Sequence, residues 1–263
     1  MQSQGVILLT AAMGALFWGG TAGAATDTHL RFCYDPYPPY TDIAEDASVQ
    51  GLKVTLLQEV VARIDGVTAE VVLLPWQRCQ VQARSGEVDG ILPLFQNAER
   101  DSYLAFTDGT YDETSVFWYH RDAYPDGIDW SGDLNELADM QLGMLEGGHI
   151  DTAMQDAFTA VRPIERTGAV EGLFYMLLHD RVDLVATDLQ VGLHHAETNA
   201  LSDQIGYVSR PITTQVARFG LSRTSGADRY LDQFNAALRT LAAEGEIDRI
   251  FGVMDMPDGV AGQ

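Results

Sequence analysis

The order of predicted strands and helices is the feature that most restricts the fold of this 263-residue chain. Short runs rich in Val, Ile, Leu and aromatic residues alternate with longer runs whose apolar residues recur every three or four positions. The first series predicts strands at residues 30–34, 67–74 and 88–92, and helices at residues 51–64 and 76–85. Because strand–helix–strand units build parallel sheets covered by helices, this series predicts an α/β unit.

A second series has the same layout. It predicts strands at residues 140–145, 161–164 and 182–188, and helices at residues 150–158 and 170–179. Further strand candidates lie at residues 115–119, 205–208 and 216–221, and residues 230–251 predict a helix that breaks near Gly245. Two similar units indicate two lobes, with residues 25–110 and 212–263 in lobe 1 and residues 111–211 in lobe 2. The chain would cross near Thr110 and return near Pro211, and ligands would bind between the facing sheets.

The charge balance limits the partners of the chain. It has 16 Lys and Arg against 38 Asp and Glu, a net charge of −22, and Lys53 is its single lysine. Such a surface repels phosphate backbones and anionic lipid, so nucleic acid and membrane surfaces are not expected partners. Solubility or salt adaptation explains the same charge without any partner.

The first 24 residues predict export. They contain no charged side chain, they carry apolar runs, and Ala22-Gly23-Ala24 supplies small residues for signal peptidase. The segment lacks the usual Lys or Arg after Met1, which puts the start codon in doubt. We therefore expect residues 1–24 to be a cleaved signal peptide and the mature protein to be periplasmic.

The two cysteines are candidates for a disulfide, and a histidine pair is a candidate for a metal site. In an oxidising compartment Cys33 and Cys79 are expected to form a disulfide, with two buried free thiols as the alternative. His194-His195 with Glu197 invites a metal site, but adjacent histidines point in different directions on a helix or strand. No metal and no cofactor are predicted.

Several motifs, taken in order, resemble family 3 of the type II periplasmic solute-binding proteins, the polar amino-acid type that serves ABC importers. The resemblance covers residues from about Leu30 to Val253. Its carriers are Tyr34-Asp35-Pro36-Tyr37-Pro38-Pro39-Tyr40 with Gly51-Leu52, Gly86-Glu87-Val88-Asp89-Gly90, Glu99-Arg100 with Phe106-Thr107, Asp180-Arg181-Val182-Asp183 before Asp188, and Ala237-Leu238 with Glu244-Gly245. The string Leu74-Pro75-Trp76-Gln77-Arg78-Cys79 is similar to a branch of this family that also has a cysteine in the first strand.

The resemblance implies a fold and a set of partners. The fold would be α/β, a two-lobed type II periplasmic-binding-protein fold in which each lobe is a mostly parallel sheet flanked by helices and a two-strand hinge joins the lobes. The protein would be a monomer that clamps a small molecule between the lobes and delivers it to an ABC permease of the inner membrane.

The resemblance also implies the ligand-binding residues. Arg100 matches the arginine that holds the ligand carboxylate, and Asp188 matches the acid that takes the ammonium group. Tyr37 and Trp76 match the walls of the ligand site, and Asn97 stands where the family carries hydroxyl side chains. Gly148 and His149 match a turn whose N–H groups hold the carboxylate, although a threonine is common at the histidine position.

Simpler interpretations exist for these residues. Arg100 would otherwise form a surface salt bridge with Glu99 or Asp101, and Asp188 would cap the helix that follows it. Trp76 would belong to the core, and Tyr37 would pack the proline-rich loop. The departures from the family pattern before Arg100 and at His149 put an ordinary α-amino acid ligand in doubt.

Three functions follow from the sequence. The first is a non-enzymatic binding protein for a small polar, carboxylate-bearing solute such as an amino acid. The second is a periplasmic enzyme of the cyclohexadienyl dehydratase type on the same scaffold, with Glu99, His149 or Asp188 as acid or base near Arg100. The third is a ligand-sensing module that acts in trans.

Overall fold

The computed structural model describes residues 28–146, 152–160 and 162–252. The predicted signal peptide and the predicted Gly148 and His149 turn lie outside these residues. Among the described residues, none of the helices combines the length and the apolar character needed to cross a membrane.

The first part of the chain alternates strands and helices as predicted. Its elements are β1 (Thr28–Tyr34), the short hairpin strands β2 (Asp42–Ile43) and β3 (Val49–Gln50), α1 (Leu52–Val61), β4 (Val67–Leu73), α2 (Trp76–Ser85), β5 (Gly90–Leu94), α3 (Ala98–Asp101) and β6 (Leu104–Phe106). Gly86 ends α2 at φ 81°, a left-handed conformation that glycine adopts without steric cost. The helix therefore stops where the sequence predicts.

The second part repeats the alternation and returns to the first. Its elements are β7 (Asp112–His120), a 3-10 helix (Leu134–Leu137), β8 (Leu142–Leu145), α4 (Thr152–Thr159), β9 (Glu165–Thr167), α5 (Val170–Leu178), β10 (Leu184–Asp188), α6 (Leu189–Thr198), β11 (Ile205–Tyr207), β12 (Thr213–Val216), β13 (Arg218–Ser222), a second 3-10 helix (Ala227–Tyr230), α7 (Leu231–Ala243) and α8 (Glu246–Phe251). The break between α7 and α8 lies at Gly245, as predicted.

Two sheets organise these elements. The first has the strand order β4-β1-β5-β13-β6, and the second has the order β11-β7-β10-β8-β9 with β12 paired to β7. Strands linked by helices are parallel, namely β1 with β4 and β5, and β8 with β9 and β10. The remaining pairs of both sheets are antiparallel. The predicted parallel α/β units are thus present, each extended by antiparallel strands.

The chain passes between the two sheets twice, and the two connecting segments lie next to each other. The outgoing segment precedes β7, and the returning segment is Ala217, which separates β12 in the second sheet from β13 in the first. Thr110 donates its N–H to the Ala217 carbonyl, and Ala217 donates to the Tyr111 carbonyl. Beyond Pro211, β12 still pairs with β7, and β13 joins the first sheet. The exact division of the chain into lobes stays a prediction.

One strand prediction in the second part is wrong. A short strand is predicted at residues 161–164; residue 161 lies outside the described residues, residues 162–164 are not in a strand, and β9 begins at Glu165. Pro163 has no N–H to donate to a strand ladder, and its carbonyl instead accepts a hydrogen bond of 2.6 Å from Gln141 Nε2. The strand therefore starts after the proline.

Apolar residues are buried on both faces of the sheets. Along β7, Val116 and Trp118 belong to one buried cluster, whereas Phe117 and Tyr119 belong to another. Successive side chains of a strand point to opposite faces, so a continuous apolar run requires that both faces be covered. This strand consequently anchors the second sheet between two helix layers.

A disulfide connects the first strand to the second helix. Cys33 of β1 and Cys79 of α2 are bonded, with a Cα–Cα distance of 5.6 Å. The predicted pairing is confirmed, and the free-thiol alternative is excluded. The bridge ties the strand that ends at Tyr34 to the helix that begins at Trp76, and both of these residues line the cavity described below.

We expect the disulfide to stabilise the fold by about 4 kcal/mol, because it closes a loop of 46 residues in the unfolded chain. The variant Cys33→Ala/Cys79→Ala should have a free energy of unfolding lower by about this amount, and therefore a lower denaturant midpoint. Circular dichroism in guanidinium chloride measures both. Wild-type protein under reducing conditions is the matched comparison. An unchanged midpoint in both samples would contradict the expectation.

Candidate functional site

A cavity of about 200 Å³ lies between the two sheets. Tyr34 and Leu94 reach it from the carboxyl ends of β1 and β5, and Leu145 and Asp188 reach it from the carboxyl ends of β8 and β10. Glu113 and Ser115 come from the start of β7, which runs antiparallel to β10 and therefore begins at the same edge. The volume admits a small solute and no macromolecule.

Arg100 is a buried cation on the first-sheet side of this cavity. Its side chain is 8% exposed and lies over the Trp76 ring at 5.2 Å. Nη1 donates to the Phe95 carbonyl at 2.5 Å, whereas Nε has no hydrogen-bond partner among the described residues. Burial lowers the pKa of the guanidinium from its usual value, but arginine stays protonated at neutral pH. A buried cation of this kind is costly without an anionic partner.

Arg100 does not form the surface salt bridge with Glu99 or Asp101 that was the simpler interpretation. Glu99 points to Arg84 instead, at 2.7 Å, and Asp101 accepts a hydrogen bond from Gln96. No carboxylate of the described residues forms a salt bridge with Arg100. The positive charge of Arg100 is therefore available to an anionic group of a ligand.

Asp188 is a buried acid on the opposite side of the cavity. It ends β10 and caps α6, because its Oδ1 accepts hydrogen bonds from the Gln190 and Val191 N–H groups and from the Tyr40 hydroxyl at 2.9–3.1 Å. Its Oδ2 has no hydrogen-bond partner among the described residues. The capping interpretation is therefore correct for one oxygen, while the other is free to accept from a ligand.

Burial and the nearby Glu113 carboxylate raise the pKa of Asp188 to about 7. The cap hydrogen bonds and Lys53 oppose this rise. Burial therefore favours the neutral form of the acid, and a cationic ligand group would favour its ionised form.

The other predicted residues have different positions. Tyr37 lines the cavity and its hydroxyl lies 3.1 Å from Thr187 Oγ1, so that it bridges the first loop and β10. Trp76 lines the cavity, is partly buried and packs against the edge of the hydrophobic core. Asn97 does not line the cavity, because its Oδ1 accepts from the Arg100 N–H at 2.9 Å and caps α3. Its contribution to the site is the orientation of Arg100.

A buried ion pair lies behind the cavity and was not predicted. Lys53 of α1 is fully buried, and its Nζ lies 2.9 Å from Glu113 Oε1 at the start of β7. The Tyr34 hydroxyl accepts from Lys53 at 2.7 Å, and the Tyr111 hydroxyl donates to Glu113 at 2.8 Å. The available signal was the presence of a single lysine in an acidic chain, placed on the apolar face of a predicted helix.

Asp35 is a second acid that the sequence analysis overlooked. It follows β1 directly, lines the cavity, and forms no salt bridge among the described residues. Burial raises the pKa of Asp35 to about 6. A hydrogen bond from its own backbone N–H and the charge of Lys53 act in the opposite direction and lower the pKa. The signal was present, because Asp35 lies within the tyrosine- and proline-rich motif that carries the family resemblance.

Comparisons with known proteins agree with this architecture. Residues 30–252 match the profile of the bacterial extracellular solute-binding proteins, family 3. The chain belongs to this family. A search of curated proteins gave no significant match.

Solved structures of binding proteins share the fold. The arginine-, lysine-, histidine-binding protein ArtJ of Geobacillus stearothermophilus has 18% identity and a TM-score of 0.71 over 85% of this chain and 94% of its own. A substrate-binding protein of an ABC uptake transporter from Streptococcus pneumoniae with bound histidine has 16% identity and a TM-score of 0.72 over 88% and 95%. An ancestral amino acid-binding protein, described as a precursor of cyclohexadienyl dehydratase, has 18% identity and a TM-score of 0.69 over 85% and 93%. At these identities the likeness shows the two-lobed fold alone.

No metal centre is recognised in this part of the chain. Within residues 28–146, 152–160 and 162–252, no group of three or more His, Cys, Asp or Glu side chains is arranged to hold a metal ion. His195 stacks on Phe174 at 4.7 Å instead.

The Lys53–Glu113 pair should control the stability of the fold. Lys53→Met leaves the Glu113 carboxylate buried without a cation and should cost about 3–5 kcal/mol of unfolding free energy. The double variant Lys53→Met/Glu113→Gln removes both charges and should recover most of this loss. Chemical denaturation of the three proteins measures the effect. A double variant as unstable as Lys53→Met would contradict the ionic origin of the loss.

Asp35 should make the stability of the unliganded protein fall as the pH rises. Since the folded pKa is about 6 and the ordinary value is 3.8, the folded state holds its proton more tightly, and ionisation destabilises it between about pH 4 and about pH 7. Asp35→Asn removes this ionisation, so its free energy of unfolding should exceed that of the wild type by about 1–3 kcal/mol across that range. Denaturation at several pH values measures the difference, and a pH-independent difference would contradict the raised pKa.

Proposed function

We propose that this protein captures a small amino acid between its lobes, in the periplasm, and delivers it to an ABC importer of the inner membrane. The observation that carries the proposal is the pairing of two incompletely satisfied charges across one cavity. Arg100 Nε and Asp188 Oδ2 are both buried and both lack a hydrogen-bond partner among the described residues. An α-amino acid brings a carboxylate and an ammonium group, which are the complements of these two groups.

Family membership supports the solute-binding part of this proposal. Two of the similar structures are an arginine-, lysine-, histidine-binding protein and a substrate-binding protein with bound histidine. Delivery to an importer follows from the family resemblance, and export follows from the uncharged apolar segment at residues 1–24. The absence of an ion pair between Arg100 and Asp188 supports a ligand that separates its two charges.

The Arg100 and Asp188 clamp can be tested by calorimetry and thermal shift. An amino acid present at about a thousand times its dissociation constant should stabilise the wild type by about 4 kcal/mol. Arg100→Met keeps much of the apolar stem and Asp188→Asn keeps a capping side chain, so both should fold and lose this stabilisation. Binding should weaken by about a hundredfold or more, as expected when a buried charge loses its partner.

Matched controls distinguish loss of the clamp from general damage. Arg84→Met removes a surface arginine of α2, and Asp180→Asn removes an exposed acid near His120. Both controls should bind the amino acid as the wild type does. Binding that survives in Arg100→Met and Asp188→Asn would refute the clamp.

A second candidate function rests on the two acids with raised pKa values. Asp35 near 6 and Asp188 near 7 lie in the range that suits proton transfer, and both face the cavity. An enzyme that eliminates water or carbon dioxide from a small acid would use such groups. Incubation of the protein with cyclohexadienyl acids, followed by NMR, tests this candidate. Turnover that disappears in Asp188→Asn would favour the enzyme over the carrier.

A further inference from the structure

Two acids lie on one face of the second sheet where it meets the cavity. Asp188 at the end of β10 pairs with Ser115 of β7, and Glu113 lies two residues before Ser115 on the same strand. Side chains two residues apart point to the same face of a strand, so Glu113 is a diagonal neighbour of Asp188. All three residues line the cavity. The second sheet therefore presents several polar side chains to a ligand group beside Asp188.

Each of these three side chains keeps an unused acceptor. Asp188 Oδ2 has no hydrogen-bond partner among the described residues. Lys53 and the Tyr111 hydroxyl both contact Glu113 at Oε1. Within the described chain, neither Glu113 Oε2 nor Ser115 Oγ forms a hydrogen bond. Three acceptors are thus free on one face of the sheet.

The cavity wall beside Arg100 is apolar. Leu94 and Phe95 line it, and the Phe95 carbonyl already accepts from Arg100 itself. When Arg100 holds the carboxylate of an α-amino acid, the ammonium group one carbon away is expected to find its acceptors on the second sheet. An ammonium group has three N–H donors, and one oxygen of Asp188 would satisfy a single donor. Buried donors without partners weaken binding.

We propose that Glu113 and Ser115 bind the ammonium group of the ligand together with Asp188, and that the cavity thereby selects a primary ammonium group at the α-carbon. The inference rests on the proposed amino-acid function and adds two residues to the same site. The three N–H groups donate to Asp188 Oδ2, Glu113 Oε2 and Ser115 Oγ. A 2-hydroxy acid brings one donor and no charge, so it leaves acceptors of this site unpaired.

The ion pair with Lys53 lets Glu113 serve this site without adding net charge. Two free acids around one ammonium group would leave a negative charge uncompensated away from water, which is unfavourable. Lys53 is fully buried, lies 2.9 Å from Glu113 Oε1 and does not line the cavity. Its charge therefore compensates Glu113 without meeting the ligand.

The electrostatics of Asp188 agree with the strand register. Burial and then the Glu113 carboxylate raise the pKa of Asp188 to about 7, so the two acids lie close enough to repel each other. The pairing of Asp188 with Ser115 places both acids on one face independently of this effect. An ammonium group beside both carboxylates would attract each of them and relieve the repulsion.

Calorimetry on a variant that removes the whole ion pair tests the proposal. Lys53→Met/Glu113→Gln leaves the net charge unchanged and should fold, because neither charge stays buried alone. Protein refolded from denaturant, to remove any carried-over ligand, is first screened with the twenty standard amino acids. The amino acid that binds most tightly is then compared with its 2-hydroxy acid, in which a hydroxyl replaces the ammonium group. Displacement of the amino acid measures the affinity for the 2-hydroxy acid.

The wild type should prefer the amino acid by about a hundredfold or more. In Lys53→Met/Glu113→Gln this preference should fall by about tenfold or more, because a charged acceptor becomes a neutral amide. Ser115→Ala leaves the ion pair intact and should reduce the preference by about threefold to tenfold. Arg63→Met/Glu59→Gln is the control. It removes an ion pair at the end of α1, outside the cavity, and should keep the wild-type preference.

The outcomes separate the two proposals. Equal affinities of the wild type for both compounds, or an unchanged preference in Lys53→Met/Glu113→Gln, would overturn the role of Glu113 while leaving amino-acid binding in place. An equal loss of affinity for both compounds would do the same, because general damage to the site lowers both. If the double variant did not fold, an unchanged preference in Ser115→Ala would overturn the three-acceptor site. Failure of all twenty amino acids to bind would overturn the proposed function itself.

Discussion

The buried ion pair between Lys53 and Glu113 is the interaction on which the site depends most. Lys53 lies on α1 beside the first sheet, and Glu113 lies at the start of β7 in the second sheet. Removing two charges from water costs several kcal/mol per ion, so the pair persists only because further hydrogen bonds satisfy it. Tyr34 and Tyr111 supply them. The same contacts fix the end of β1 and the start of β7, where the cavity begins.

The cavity itself is organised by separated charges. Arg100 stands on the first-sheet side beside Trp76, Asp188 stands on the opposite side, and Glu113 is paired with Lys53. Burial and the Glu113 carboxylate raise the pKa of Asp188, so a cationic ligand group beside Asp188 would favour its ionised form. Affinity would then come from the burial of the Arg100 and Asp188 charges, whose partners come with the ligand.

Much of the fold can be predicted from local sequence. Apolar periodicity and glycine positions locate the helices, and the α2 and α7 ends at Gly86 and Gly245 follow from the freedom of glycine at positive φ. The strand predicted at residues 161–164 was based on apolar residues on either side of Pro163. A proline has no N–H for a strand ladder, and β9 begins only at Glu165. The pairing of β12 with β7 beyond Pro211 is a contact between distant segments, which local sequence does not specify.

The sequence by itself determined the α/β alternation, the family resemblance and the candidacy of Arg100 and Asp188, and it left Cys33 and Cys79 open between a disulfide and two free thiols, which the structure decided. Only the tertiary structure decided that Asn97 caps α3, that Glu99 pairs with Arg84, and that Asp35 faces the cavity without a salt bridge. It also brought Lys53 to Glu113. Local patterns report which face of an element is buried, but the partner of a charge depends on sheet order and on the approach of distant segments, which no local pattern encodes.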